Sequence, residues 1–238
     1  KLDALIKLIE KAQQNDGYLN VHFTVVEPEK RWSNLRDWHE LYCAGHLMEA
    51  AVAYNETTGK RRLLDVMCRY ADYIGSVFGP ETGKKRGYPG HEEIELALVK
   101  LYLTTSEKRY LSLAKFFVDE RGRQPHYFDL EARTRREDSK AHDKRDYDQY
   151  QAHLPVREQT TAEGHAVRAC YLYTGMADVA IETNDRELLR ACKRIWKNIT
   201  VWRFAGPGRD GSSRFGERFT FDYDLPNEEA YAETCAAI

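Results

Sequence analysis

The chain has 238 residues, with 42% hydrophobic residues, 31% charged residues and a net charge of −2, enough for one large domain or two small ones. This near-neutral charge gives no electrostatic support for binding nucleic acid or a membrane surface. Because no apolar run approaches the about 20 residues that span a bilayer, the sequence predicts an ordinary globular protein with no membrane partner.

The five cysteines are an odd number at scattered spacings. This pattern argues against a disulfide framework and favours a reducing compartment, so we expect a cytoplasmic location. The chain begins in helical periodicity with no cap before Leu2 and ends on what reads as the start of a helix. We therefore expect it to be part of a longer protein. The sequence leaves the oligomeric state open, and a homodimer is compatible with it.

A helical repeat occupies most of the chain. Three segments share a threonine, a short polar turn, a basic residue, two large apolar residues and a helix: 56–74, 103–121 and 181–199. Each follows another predicted helix, at about 38–57, 91–104 and 163–182. Repeated helix hairpins of this kind predict an all-α fold of stacked antiparallel pairs, which either continue as a solenoid or close into an α/α toroid.

The first helix of each pair is predicted to open on a histidine: His39, His91 and His165. Histidine has only middling helix propensity, so three at equivalent places are unusual. If these helices form the inner ring of a toroid, their positive N-termini converge and keep the imidazoles neutral. Any one of them is more simply explained as a helix cap or a core residue. Together they predict a pocket for a polyhydroxylated ligand.

Residues 119–150 interrupt the repeat with many charges and few aliphatic side chains. We interpret this segment as a charged insertion, and residues 129–146 within it as solvated. The stretch HLPVREQ, from His153 to Gln159, leads directly into the third histidine helix. We expect it to form part of the rim of the pocket.

The last part of the chain combines carboxylates with a thiol. Aromatic and polar residues alternate over 218–224, which predicts a short extended segment. Glu233 and Cys235 follow, two residues apart, and on a regular helix their side chains would point about 200° apart. Carboxylate and thiolate donors suit zinc. On spacing alone, a core cysteine beside a surface glutamate is the simpler interpretation.

Several blocks of the sequence resemble glycoside hydrolase family 127, the β-L-arabinofuranosidases. The most specific are ELYCAGHL, PVREQ with the following AEGHAVRA, and LPN with the following ETCA. The resemblance covers nearly the whole chain. It implies that residues 1–238 are an incomplete catalytic domain, a partial (α/α)6 barrel, with the rest of the barrel and β-sandwich domains outside this chain.

The resemblance also implies roles for single residues. Glu217 matches the general acid/base, and His39, His91 and His165 match residues that bind the arabinofuranose ring. Glu233 and Cys235 match two ligands of a zinc ion. The remaining two ligands, adjacent cysteines of which one is the nucleophile, are not in this sequence. The stretch before Glu217 lacks the family's Thr-Gly-Gly run, so the loop that holds Glu217 is where we expect a departure from the family.

The function that the resemblance implies is retaining hydrolysis of a glycan or glycoprotein that carries β-L-arabinofuranose or a similar pentofuranose. In that reaction a zinc-bound thiolate attacks the sugar while Glu217 protonates the leaving oxygen, helped by an apolar setting from Phe215, Phe219 and Phe221. Two alternatives remain open. One is a carbohydrate-binding toroid without chemistry. The other is a glycosidase with two carboxylates, Glu217 with Glu163 or Asp222.

Overall fold

The computed structural model describes residues 1–137, 144–203, 212–224, 226 and 228. Nine α-helices lie in this part of the chain, and their bounds are α1 Leu2–Ala12, α2 His22–Val25, α3 Glu40–Thr58, α4 Arg62–Val77, α5 Ile94–Thr105, α6 Lys108–Glu120, α7 Tyr127–Thr134, α8 Ala166–Thr183 and α9 Arg186–Asn198. The described residues also form two strands of two residues each, β1 Gly164–His165 and β2 Arg218–Phe219. Two 3₁₀-helices, Pro28–Lys30 and Lys144–Tyr150, and a π-helix, Ile199–Arg203, lie between these elements. The predicted all-α class is confirmed.

The chain divides into two compact units, Lys1–Phe116 and Phe117–Ile238. In the first unit, α3 packs against both α4 and α5. In the second unit, α8 packs against α9, as predicted for a helix hairpin. The closure of the hairpins into a barrel stays a prediction.

The repeated threonine and polar turn seen in the sequence have a common structural basis. Each threonine lies in the last turn of a helix, where its hydroxyl donates a hydrogen bond to the carbonyl four residues earlier, and the next residue is left-handed. The donors are Thr58, Thr105 and Thr183, and the left-handed residues are Gly59, Ser106 and Asn184. Such C-terminal caps end a helix sharply and permit a short connection.

Burial differs between α5, the first helix of its pair, and α4, the second helix of the preceding pair. Helix α5 is buried on nearly every side from Ile94 to Leu101, where Lys100 alone is exposed, and most of its residues are apolar. Helix α4 buries one face, with Leu64, Met67 and Ile74 fully inside, and exposes the other. A helix that is apolar all round lies inside a structure, whereas a one-sided helix covers it. This difference favours the predicted inner and outer helices.

The interpretation of residues 129–146 as a solvated insertion is wrong for part of that range. Helix α7 overlaps this range and buries Glu131 and Ala132 within it. Glu131 is only 4% exposed and its carboxylate pairs with Arg135 at 2.9 Å. Paired charges can be buried when they neutralise each other, so a charge-rich sequence does not require a solvated loop. Residues 138–143 lie outside the described part.

The predicted extended segment at 218–224 is shorter than expected. Only Arg218 and Phe219 form a strand, which pairs with β1 in an antiparallel two-stranded sheet. The chain then bends, and Tyr223 is left-handed with a φ of 63°. Phe219 is buried, whereas Phe221 and Tyr223 are exposed, so the aromatic alternation does not mark one buried face.

Two negative findings hold for the described residues. No helix there is both long and apolar enough to pass through a bilayer. The described cysteines carry no disulfide, and burial raises the pKa of three of them: Cys43, Cys68 and Cys192.

Candidate active site

Glu217 and His165 form a direct contact in the second unit. His165 Nε2 lies 2.8 Å from Glu217 Oε2. The other ring nitrogen, Nδ1, accepts a hydrogen bond from the backbone N–H of Arg168 at 3.4 Å, which caps the start of α8. A neutral imidazole has one donor and one acceptor nitrogen. Because Nδ1 accepts, the proton lies on Nε2, and His165 donates to the Glu217 carboxylate.

The two-residue sheet brings these side chains together. His165 pairs with Arg218 and Gly164 pairs with Phe219. The backbone of Glu217 also takes part, since its carbonyl accepts a hydrogen bond from the N–H of Ala166 at 2.9 Å. The segment with Glu217 is therefore attached to the first residues of α8 through its main chain.

Gly164 is required for this arrangement. A Cβ atom at this position would lie 1.9 Å from the carbonyl oxygen of Asp148, and the backbone has a φ of 72°. Glycine alone combines this close approach with an unstrained left-handed conformation. The 3₁₀-helix Lys144–Tyr150 thus packs directly against β1.

The turn that ends in Glu217 is held at several points. Gly216 and Glu217 are both left-handed, with φ values of 74° and 51°. The Gln149 side chain donates to the Gly216 carbonyl at 2.7 Å, and Arg218 pairs with Asp148. A left-handed conformation in a residue other than glycine costs energy and persists only where neighbours enforce it. The contacts of Gln149 and Asp148 hold Glu217 in this conformation. The Glu217 side chain is 43% exposed and lies beside His165.

The carboxylates of the two-carboxylate alternative have other partners. Arg203 pairs with Asp222 at 2.7 Å and with Glu163 at 3.4 Å. The hydrogen bond from Arg203 holds the pKa of Asp222 below its usual range, and Asn198 donates to the same oxygen. Asp222 is thus an anchor for Arg203. Glu163 makes the longer ion pair, which leaves it the better candidate for a second acid or base.

The first unit brings together His39 and His91. Their ring centroids lie 5.6 Å apart, and the ring of Tyr42 lies 5.5 Å from His39 and 4.3 Å from His91. His39 is the residue before α3, as predicted. His91 was predicted to open its helix, but α5 begins only at Ile94, so that prediction is wrong. The Nδ1 atom of His91 lies 3.0 Å from the Glu92 carbonyl, where a ring proton can be donated.

The structure therefore places the four predicted residues as two pairs, His39 with His91 and His165 with Glu217. A pocket shared by all three histidines stays a prediction. The predicted apolar setting of Glu217 is wrong. Phe215 and Phe221 are 68% and 71% exposed, and only Phe219 is buried.

Tyr42 also contacts a second cluster of side chains, His46, Glu49 and Glu93, which was not predicted from the sequence. Its ring lies 4.4 Å from that of His46, and His46 Nδ1 lies 3.3 Å from Glu93 Oε1. Glu49 completes the cluster, and its carboxylate binds Lys100. The helical spacing of Tyr42, His46 and Glu49, which puts them on one face of α3, was a signal available in the sequence.

The donors of His46, Glu49 and Glu93 lie within 4.8 Å of one another, a set that could hold a metal ion. Lys100, however, already neutralises Glu49. Glu93 is fully buried, and burial together with a hydrogen bond to Glu49 raises its pKa to about 10. A protonated Glu93 can donate a hydrogen bond to Glu49, which permits the two carboxyl groups to lie close together.

The predicted zinc ligands, Glu233 and Cys235, lie outside the described residues. Their donor types, one carboxylate and one thiolate, are compatible with zinc. No described residue is part of that predicted ligand set.

Comparison with known proteins decides the family. A sequence model of the catalytic domain of family GH127, beta-L-arabinofuranosidase, matches residues 1–238. The chain belongs to this family. The resemblance noted in the sequence is thereby confirmed.

The proteins that this chain resembles include three with informative names, each similar over 99% of this chain. A non-reducing end beta-L-arabinofuranosidase from Bifidobacterium longum subsp. longum is 45% identical, and the chain covers 37% of it. A GH127 beta-L-arabinofuranosidase from Geobacillus stearothermophilus T6 has a crystal structure with 57% identity and a TM-score of 0.96, and the chain covers 37% of it. A further GH127 beta-arabinofuranosidase is 39% identical, with a TM-score of 0.84 and 35% coverage. The chain thus spans little more than a third of its relatives.

Proposed function

We propose that the protein containing this chain is a retaining glycoside hydrolase that releases β-L-arabinofuranose, or a similar pentofuranose, from glycans or glycoproteins. Family membership supports the reaction class. The single observation that carries the residue assignment is the His165–Glu217 contact at 2.8 Å, on a turn that the surrounding backbone holds in place. In this proposal Glu217 is the general acid/base.

The contact suggests how Glu217 works. The Nε2–H group of His165 donates a hydrogen bond to Oε2, which fixes the orientation of the carboxyl group and leaves Oε1 to carry the transferred proton. In the first step Glu217 gives that proton to the glycosidic oxygen as the bond to the anomeric carbon breaks. In the second step the Glu217 carboxylate takes a proton from the water that releases the sugar. The same carboxyl group then begins the next cycle protonated.

The sugar ring requires hydrogen-bonding groups around its hydroxyls. We propose that His39, His91 and His165 supply them, since an imidazole offers both a donor and an acceptor. Tyr42, in contact with both His39 and His91, would hold these two rings in place.

The covalent step needs a nucleophile. We propose a cysteine outside these 238 residues, with Glu233 and Cys235 as two of the ligands of a zinc ion. When bound, zinc would keep a cysteine ionised and nucleophilic at neutral pH.

The test is Glu217→Gln in the full-length protein. Loss of acid catalysis should lower hydrolysis of a natural arabinofuranoside by about 10² to 10⁴-fold. An aryl glycoside with a good leaving group needs no proton to depart, so it should still form the covalent intermediate. Azide should then restore turnover, because it attacks the intermediate without general base help.

Glu163→Gln is the matched control, because Glu163 is the other candidate acid in this region. If Glu217→Gln lowered the rate of hydrolysis of both substrates equally in a folded protein, and azide did not restore turnover, the acid/base role of Glu217 would be rejected. If Glu163→Gln instead showed the leaving-group dependence, the two-carboxylate mechanism would gain support.

A further inference from the structure

A polar cavity in the second unit is not used by the site described so far. It has a volume of about 720 Å³, and among the described residues that line it Leu154 is the one aliphatic residue. The other described residues around it carry hydrogen-bonding side chains: Gln124, His126, Asp129, Tyr147, His153 and Thr161, together with Asp148 and Glu163. A small-molecule site of ordinary size falls in the range of about 300–1,000 Å³.

One wall of the cavity is an aromatic face that its neighbours hold in place. The rings of His126 and Tyr147 stack with centroids 3.9 Å apart and planes 18° apart. Gln124 Nε2 lies 2.6 Å from His126 Nε2, and the Tyr147 hydroxyl donates to Asp129. His126 is only 9% exposed. The wall is therefore formed before any ligand arrives, which lowers the entropic cost of binding.

Two of the three carboxylates around the cavity are paired with arginines. Asp148 pairs with Arg218 and Glu163 pairs with Arg203, whereas Asp129 accepts a hydrogen bond from the uncharged hydroxyl of Tyr147. Burial lowers the pKa of both His126 and His153, which favours neutral rings at neutral pH. Such a lining offers donors and acceptors without a net attraction for anions, so it suits a neutral polyhydroxylated ligand.

Two ring nitrogens in this lining lack a hydrogen-bond partner within the described part of the chain: Nδ1 of His126 and Nδ1 of His153. A buried polar atom without a partner is costly, and most such atoms are satisfied by protein, water or ligand. These atoms are a second observation, independent of the cavity's size, that indicates a hydrogen-bonding occupant.

The cavity wall is directly connected to the turn that carries Glu217. Asp148 lines the cavity and binds Arg218, the residue after Glu217. Its neighbour Gln149 donates to the carbonyl of Gly216, the residue before Glu217. Glu163, which also lines the cavity, precedes the β1 strand that contains His165. An occupant of the cavity would therefore be held by the same hydrogen-bonded segments that position the general acid.

We infer that this cavity binds the sugar of the leaving group, a neutral pyranose or furanose residue of the glycan. The inference rests on the proposed function, because a leaving-group sugar must lie beside the acid that protonates its oxygen. It adds His153 and Thr161 as residues that determine which glycan is cleaved.

The test compares two substrates in the full-length protein: a β-L-arabinofuranosyl disaccharide and the methyl β-L-arabinofuranoside, whose leaving group has no sugar. His153→Ala should raise KM for the disaccharide about tenfold, the size expected for one lost hydrogen bond. KM for the methyl glycoside and kcat for both should stay unchanged. Thr161→Val removes one hydroxyl with little change of shape and should act in the same direction.

His22→Ala is the matched control, because His22 is an exposed histidine in the first unit and should leave both substrates unaffected. Equal losses on both glycosides with His153→Ala and Thr161→Val, in proteins that unfold at the wild-type temperature, would overturn the inference. So would unchanged kinetics on the disaccharide.

A binding measurement separates this inference from the proposed function. Free L-arabinose is titrated into the wild-type protein and into His153→Ala. This measurement does not depend on catalysis. If neither glycoside is hydrolysed but the sugar binds and the variant weakens it, the function is wrong and the cavity stands as a sugar site. Unaltered binding, or tighter binding of a cationic amine such as Tris than of the sugar, would reject the cavity as a neutral sugar site.

Discussion

The two nitrogens of His165 bind different partners, and this division couples a helix to a candidate acid. Nδ1 accepts from the backbone of α8 while Nε2 donates to Glu217. If the ring gained a second proton, both nitrogens would become donors and the hydrogen bond at the helix start would be lost. The helix cap thus selects the neutral tautomer that can orient Glu217.

Glu93 leads to a prediction about pH. Burial raises its pKa to about 10, so in the folded protein it keeps its proton at neutral pH. Between the unfolded pKa, about 4.5, and about pH 10, only the unfolded state loses this proton. The stabilisation from Glu93 is therefore complete below pH 4.5 and is lost as pH rises, by up to about 1.4 kcal/mol per pH unit. Glu93→Gln cannot ionise, so its stability should fall less between pH 6 and pH 9.

Denaturant unfolding at several pH values checks this prediction, with Glu56→Gln as the control for an exposed carboxyl group. An identical pH dependence of wild type and Glu93→Gln would mean that Glu93 is ionised when folded. The cluster with His46 and Glu49 would then need a bound cation.

At the scale of elements, the start of α9 has the clearest energetic role. The Asp185 carboxylate accepts hydrogen bonds from the N–H groups of Glu187 and Leu188, at 3.1 and 2.9 Å. Its other oxygen pairs with Arg157 at 2.6 Å. One side chain therefore caps α9 and attaches it to the segment before α8.

Replacement of Asp185 separates these two contributions. Asp185→Ala should lower the free energy of unfolding by about 1–2 kcal/mol, because it removes the cap. Asp185→Asn can still cap the helix and loses only the ion pair, so it should cost less. Thermal unfolding of the two variants measures the difference. Equal losses would mean that the ion pair with Arg157, and not the cap, stabilises this region.

The helix hairpins could be predicted because helical periodicity and the threonine turns are local properties. The helices of the three predicted pairs lie within a few residues of their predicted ranges. The start of α5 could not be predicted in the same way. The segment Pro89–Glu93 bends instead of continuing the helix, since Gly90 donates to the Leu35 carbonyl at 2.8 Å, a contact distant in sequence. A Cβ on Gly90 would lie 1.8 Å from the carbonyl oxygen of Arg36.

The candidate site shows the same limit. The three histidines were predicted from the helical repeat and Glu217 from the family resemblance, while their contacts depend on long-range pairing. The pairing of β1 with β2 joins residues more than 50 positions apart and involves two residues per strand, too short for a periodic signal. Helix α7 was missed because Glu131 and Arg135 are charged in sequence and mutually neutralised in the structure.

At the scale of the whole molecule, the zinc prediction can be tested directly. Full-length protein purified without added metal should contain one zinc per chain, and Cys235→Ala should lose most of it because one of four ligands is removed. Elemental analysis measures the content. Cys192→Ala is the control, since Cys192 is a thiol on α9 that the prediction does not include. Zinc that is absent from the wild type, or unchanged in Cys235→Ala, would contradict the prediction.

The raised pKa values of Cys43, Cys68 and Cys192 have a practical consequence for chemical labelling. Alkylating reagents attack the thiolate, and a raised pKa leaves little thiolate at neutral pH. Burial brings the pKa of Cys192 to about 11. These three thiols should therefore react slowly with a mild electrophile that is applied briefly at pH 7. An ionised nucleophile elsewhere in the protein would be tagged first, and peptide mapping would identify it without any mutagenesis.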